Sequence, residues 1–349
     1  MNVKTLHAKH LNLVLLLQAL LVSCSLHVAA QELPPAEPPA AMPGSAADQN
    51  VIHAHTTEVL VPTLVEKPDG SVVYGLTGKD FVLEDNGLQQ KIHVQDEMDQ
   101  APVALVVAVE QGGASSLEFD KVAKLGPLLE LFMKEGSAKA ALVGFDAHPY
   151  LLQDFTTSQE KMTTALKGME GGGGGAAILD SVSYAVDLLN EQPKEYRRVL
   201  LLISEERDHG SKHTKVEELI RKIGRSDVLV LSISFSPMQA EFAHDIKDSG
   251  GDRALNMVST LFSLVQAFRK NISKEIALMS GGEYATFSND KNFEARVARS
   301  AKHARNRYLI TFSPSDQRPG LHTIRVRTVD DYGAKIVARA HYWISGPEE

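Results

Sequence analysis

The residues best placed to do chemistry lie where two apolar runs end. The first run, Val103 to Val109, opens into Glu110-Gln111-Gly112-Gly113-Ala114-Ser115. The second, Val199 to Ile203, opens through Ser204 into Glu205-Glu206-Arg207-Asp208-His209. Carboxylates at a strand end can hold a hard cation or exchange protons, and a small-residue loop after a buried strand is where open α/β sheets place ligands. A third stretch, Gly171 to Gly175 followed by Ala176, could wrap a phosphate, but no Gly-Lys-Ser/Thr follows it. It reads as a pliable loop at the rim of a sheet.

Other patterns carry less. Asp248-Ser249-Gly250-Gly251 resembles a fragment of a serine-nucleophile loop, yet such a serine needs a histidine base and a buried aspartate on a different architecture. The segment reads as a polar turn, with His244 on a helix surface. His53 and His55 alternate along an extended stretch but have no third ligand at metal spacing, so they read as a solvated edge. Asn271-Ile272-Ser273 fits a glycosylation pattern inside a helical stretch.

Short apolar runs at 103–109, 139–145, 199–204 and 228–235 alternate with helix-patterned segments at about 117–134, 177–190, 212–224, 255–279 and 291–306. That rhythm predicts βαβ units: a doubly wound, mainly parallel sheet with helices on both faces. Gly126-Pro127 predicts a kink in the first helix. On either side the pattern turns to strands. Residues 51–100 hold about four short β stretches, with a hairpin signal at Asn86-Gly87. Residues 307–349 hold three, at 307–314, 322–331 and 334–344. Neither group buries a face alone, so the two are expected to pair into a companion β-sandwich with the α/β domain, 101–306, inserted between them.

Ahead of these, residues 1–30 read as an export signal, with Lys4 and Lys9 before an apolar run, Leu11 to Val22, too short to span a bilayer. Leu21-Val22-Ser23-Cys24 also resembles a bacterial lipobox, which would make Cys24 a lipidation site and the chain's only membrane contact. Residues 31–50, rich in Pro and Ala, read as an extended tether. Cys24 is the single cysteine of the 349 residues, so no disulfide within the chain is possible. A formal charge of −8, falling to −10 once Lys4 and Lys9 leave with the signal, excludes a nucleic-acid partner as the expectation.

The α/β region resembles the von Willebrand factor type A domain. VYGLTGKDFVLEDNGLQQKI before it and RYLITFSPSDQRPGLHTIRVRT after it resemble the flanks of the exported VWFA-related family first catalogued in Acidobacteria, so the resemblance spans about residues 55 to 345. It implies a divalent-cation site: Asp-x-Ser-x-Ser after the first strand, a threonine in a second loop and an aspartate after the central strand. Here Val109, Gln111 and Gly113 fall at the first motif, or Glu110, Gly112 and Ala114 when shifted by one. Ala176 stands for the threonine and Glu205 for the aspartate. One or two carboxylates remain of five oxygen ligands, so no metal or other cofactor is expected.

The expectation is an exported, non-enzymatic module that binds an unidentified protein partner through the upper face of the sheet. Its candidate contacts are Glu110, Gln111, Gly112, Gly113, Ala114, Ser115, Gly175, Ala176, Glu205 and Glu206. The alternatives are a metal-assisted hydrolase built on the acidic cluster around Glu205, and a structural envelope component assembled through the sandwich.

Overall fold

The computed structural model describes residues 58–95, 101–112, 122, 124–133, 138–235 and 257–346. In chain order the strands are β1 (Val59–Glu66), β2 (Phe81–Asp85), β3 (Leu88–Gln89), β4 (Ile92–Val94), β5 (Val103–Glu110), β6 (Ala138–Phe145), β7 (Pro149–Thr156), β8 (Arg197–Ser204), β9 (Leu229–Phe235), β10 (Tyr284–Phe287), β11 (Tyr308–Phe312), β12 (Gly320–Thr328), β13 (Lys335–Ala338) and β14 (His341–Ile344). The helices are α1 (Leu125–Leu129), α2 (Gln159–Lys167), α3 (Ile178–Asn190), α4 (Val216–Arg225), α5 (Met257–Lys270), α6 (Ile272–Ser280) and α7 (Asp290–Arg305).

Six strands form one sheet in the order β10-β9-β8-β5-β6-β7, parallel except for the edge strand β7. β5 lies at its heart and every one of its residues is buried. Side chains alternate across a strand, and here the alternation feeds two cores. Ala104, Val106 and Ala108 pack with α3, α4, α5 and α6, whereas Val103, Leu105, Val107 and Val109 pack with α1, α2 and α7. The sheet is therefore covered on both faces, as the unbroken apolar run requires.

The N- and C-terminal strands do pair. β1 joins β11 and β13, β11 joins β4, and β2 joins β12, giving two four-stranded sheets, β13-β1-β11-β4 and β14-β12-β2-β3, over a shared apolar core. The Asn86-Gly87 hairpin forms as expected, with φ of 48° and 82° matching a twisted two-residue turn. The stretch 334–344 does not remain one strand. It breaks at Arg339-Ala340 into β13 and β14, which belong to opposite sheets of the sandwich.

Arg339 explains the break, because its buried guanidinium donates to the carbonyls of Leu60, Gly224, Ile223 and His341. The Ile223 and Gly224 carbonyls belong to the last turn of α4, where helical partners run out. Arg307, also buried, donates to the carbonyls of Gly281, just past α6, and Val337. Two arginines thus bolt the sandwich to helix ends of the α/β domain. Gly281, at φ 87°, is required there, since a Cβ would lie 2.6 Å from the backbone nitrogen of Arg339.

Other expectations are revised. The helix over 255–279 is two helices, because Asn271 leaves helical geometry (φ −151°) and its side chain accepts from the N–H of Lys274 to cap α6. Of the helix over 117–134, α1 covers Leu125–Leu129. Val122 upstream is helical too, and the residues between that would show a kink at Gly126-Pro127 lie partly outside the described ones. β7, α2 and β10 are additional elements; Pro149-Tyr150-Leu151-Leu152 has no apolar alternation to announce a strand.

Inside the sandwich His322 is fully buried, with Nδ1 3.1 Å from Asp85 Oδ1 and Nε2 2.9 Å from the Arg318 carbonyl, while Tyr342 donates to Asp85 Oδ2. Nδ1 also has the Asn86 amide nitrogen 3.1 Å away, but the Asp85 carboxylate and the Arg318 carbonyl give each ring nitrogen an acceptor, which suits the protonated imidazole. Burial works against that charge, but the Asp85 carboxylate and the Arg318 carbonyl outweigh it and raise the His322 pKa. The stabilisation is therefore complete below about pH 6.5, the ordinary value, and is lost as pH rises through the higher folded value. In urea unfolding, His322→Gln is expected to lose most relative to wild type at about pH 6, and the gap shrinks as pH rises. Arg339→Ala, which strands several buried carbonyls, is expected to cost about 3 kcal/mol or more in the same measurement.

Candidate functional site

The carboxyl ends of β5, β6 and β8 meet at one rim, and the loops that follow them are tied together there. At the end of β5 the Glu110 side chain is buried, and its Oε2 accepts the N–H of Glu205 at 2.6 Å. This bond joins the ends of neighbouring strands. Gln111, also buried, donates from Nε2 to the Glu170 carbonyl and accepts from the Tyr150 hydroxyl, both at 2.5 Å. Its backbone bonds Phe145 O and Gly172 N. Gly112 then passes so close to the glycine loop that a Cβ would lie 2.1 Å from the carbonyl oxygen of Gly175.

The glycine loop is held from its other side by Asp146, just past β6. Its Oδ2 accepts from Gly173 N at 2.9 Å and its backbone carbonyl from Ala177 N at 2.7 Å. Burial opposes ionisation of this carboxyl, but the N–H groups of Gly173, His148 and Ala147 outweigh burial and hold its pKa below the ordinary value. The loop between β8 and α4 is fixed in a similar way. Asp208 accepts from Leu179 N and Ser211 Oγ, and Asp180 accepts from the N–H groups of Lys212, His213 and Thr214. Those amides outweigh burial and lower the Asp180 pKa.

Against the expected contact set, the structure makes a division. Glu110, Gln111, Gly112 and Ala176 are buried, and the Glu110 and Gln111 side chains bind the protein's own loops instead of facing outward. Gly175, Glu205 and Glu206 are half-buried at the rim, with Gly171 to Gly174 exposed beside them. Glu206 accepts from the Tyr284 hydroxyl at 2.7 Å, and the Glu205 carbonyl collects the hydroxyls of Ser204 and Ser273. Asn271 and Ser273 serve the start of α6 and this cluster. Gly113, Ala114, Ser115, Cys24, His53, His55, His244 and the 248–251 turn lie outside the described residues. Asp146, Tyr150, Asp180 and Asp208 were not singled out from sequence. An aspartate directly after an apolar run, as in Gly144-Phe145-Asp146, is the signal that could have marked one of them.

The family model of the von Willebrand factor type A domain matches residues 114–207. The chain carries a von Willebrand factor type A domain. No curated protein matches it by sequence. Solved structures similar to it include BatB from Bacteroides thetaiotaomicron, at 16% identity and TM-score 0.40 over 58% of this chain and 100% of that one. Another is a von Willebrand factor type A protein from Catenulispora acidiphila, at 9% identity and TM-score 0.43 over 78% and 75% of the two chains. The von Willebrand factor domain of the type V pili tip protein Mfa5 from Porphyromonas gingivalis is similar at 9% identity and TM-score 0.39, over 58% and 95%.

The cation implied by the type A resemblance meets a poor donor set among the described residues. Mg²⁺ requires several hard oxygens in octahedral array, but the Gln111 amide oxygen is taken by Tyr150, Glu110 is bonded to the Glu205 N–H, and Gly112 and Ala176 bring no side-chain oxygen. The described donors do not fit the ion. What the type A rim has in its place is a set of internal hydrogen bonds closing strand ends onto loops.

Two substitutions test that closure. Gly112→Ala must displace Gly175 and is expected to cost about 2 kcal/mol in thermal unfolding. Asp146→Ala is expected to cost about 1 kcal/mol and to speed limited proteolysis within residues 170–176.

Proposed function

We propose that this chain is an exported, non-enzymatic interaction module whose type A domain engages a protein partner through the rim of strand ends, without a bound cation. The observation that carries this reading is the use of Glu110 and Gln111 as internal ties. Groups at the cation position are spent on holding the loops, which presets the rim before any partner arrives. The surface left for contact is the exposed glycine turn with Glu205, Glu206, Arg207 and His209. It offers backbone amides, backbone carbonyls and carboxylates, groups suited to hydrogen-bonded recognition of a polypeptide.

The acidic cluster supports hydrolysis less well. Asp208 is committed to Leu179 N and Ser211, and Glu206 to Tyr284. The sandwich edges are short, with four residues each in β13 and β14, three in β4 and two in β3. Such edges favour partner contact at the rim over assembly by strand addition.

Calorimetric titration of the folded chain with Mg²⁺, Mn²⁺ and Ca²⁺ is expected to give no one-to-one binding, and the unfolding midpoint is expected to stay fixed on adding either Mg²⁺ or a chelator. Pull-down from envelope extracts is expected to capture the same partner with and without chelator. The double variant Glu205→Lys, Glu206→Lys is expected to weaken that capture at least about tenfold, with only the small fall in unfolding midpoint that loss of the Tyr284–Glu206 bond brings. A stoichiometric cation site, or capture that survives the double variant intact, sinks the reading.

A further inference from the structure

Far from the rim, the seam between sandwich and α/β sheet holds a buried group of charges around His303. Glu66 ends β1, Glu283 precedes β10, Arg299 and His303 lie on α7, and Arg307 precedes β11. The His303 side chain is wholly inaccessible. Its Nδ1 lies 2.8 and 3.0 Å from the two Glu283 carboxylate oxygens, so that nitrogen carries the hydrogen and donates. Its Nε2 is buried with no hydrogen-bond partner, yet Oε1 of Glu66 stands only 3.5 Å away. In a neutral ring this nitrogen presents a lone pair to a carboxylate, and an added proton turns the same contact into a donor facing an acceptor.

The ligand atoms of Glu66, Glu283 and His303 all lie within 4.8 Å of one another, close enough to suggest a metal. The arginines argue against one. Arg299 Nη2 is bonded to Glu66 Oε1, and Arg307 Nη2 lies 3.2 Å from Glu283 Oε2, so each carboxylate already has its cation. A divalent ion would add two charges to a cluster that is already balanced.

We propose that His303 is a proton-operated latch across this seam: when protonated, its ring ties Glu283 of the α/β domain to Glu66 of the sandwich, and when neutral it holds Glu283 alone. Every charged group facing it has a part. Glu66 and Glu283 favour the proton; Arg299 and Arg307 oppose it. Lys335, across from Glu66 in the β1–β13 register, is exposed and screened by water. Arg307 is locked in place by the Gly281 and Val337 carbonyls, but the Arg299 side chain is 47% exposed. Arg299 can therefore turn toward water when His303 takes over Glu66, and the incoming charge is offset by its departure. Glu283 stays ionised throughout: burial works to raise its pKa, but the His303 and Arg307 contacts outweigh burial and lower it.

The sign follows from the geometry. The bond from Nε2 to Glu66 exists only in the protonated ring. The test follows the His303 ring by NMR of the nitrogen-labelled chain from about pH 8 to about pH 5, a range that spans ordinary histidine titration, alongside thermal unfolding. In wild type the ring is expected to pass to the doubly protonated form with Nε2–H bonded. In Glu66→Gln its titration is expected to move to lower pH, and the gap in unfolding midpoint between wild type and variant to narrow as pH rises. Should that variant fail to fold, Arg299→Gln removes the competing cation and is expected to move the titration to higher pH. A ring that stays neutral to about pH 5, or a titration that neither variant moves in the stated direction, overturns the latch.

Discussion

Burial of β5 on both faces is the constraint from which the rest of the molecule follows. A strand with eight consecutive inaccessible residues cannot stand at an edge or face water, so it must have strands on both sides and helices above and below. Its odd and even residues seed separate cores. The same constraint acts where the run stops. Glu110 and Gln111 emerge while still inside the protein, and a buried carboxylate and amide must find partners or cost several kcal/mol. They find them in the Glu205 N–H, the Glu170 carbonyl and the Tyr150 hydroxyl. The architecture of the rim is thus a by-product of satisfying what β5 carries to its end.

The sandwich is attached by a different kind of force. Arg307 and Arg339 reach out of the β segment to the carbonyl just past α6 and to those in the last turn of α4, and each guanidinium also binds a carbonyl of the sandwich's own strands. Directional bonds of this sort fix orientation as well as proximity. The companion domain is therefore built into the type A domain's own helix ends, and the charge cluster at His303 lies along the same seam.

Much of this is written in local sequence, and the omissions have physical reasons. The apolar runs of β5, β6, β8 and β9 and the positive-φ pair Asn86-Gly87 act through near neighbours, so pattern alone reveals them. The break between α5 and α6 was legible in principle, since Asn271 is a good cap, but its neighbours on both sides keep a helical pattern. The division of 334–344 is set by where Arg339 must go, and Arg339 is drawn there by carbonyls more than a hundred residues away. At the rim, the acidic residues at the strand ends could be identified, but which of them faces outward could not. Glu110 and Glu205 look alike in sequence, and only the fold makes one a buried tie and the other a rim residue.

The pairing of β1 has a consequence for how the chain acquires its structure. Val61 stands opposite Ile310 and Leu64 opposite Val337, so the first strand of the sandwich finds its sheet partners about 250 positions later along the polypeptide. Contacts of such span close slowly, because the loop entropy is lost before any contact rewards it. During synthesis the whole α/β unit emerges while β1 still lacks both neighbours, and an apolar strand waits exposed for tens of seconds at ordinary elongation rates. The sandwich is the last part of the molecule to assemble, and the interval before it does is when the chain is most open to aggregation or to a chaperone's grip.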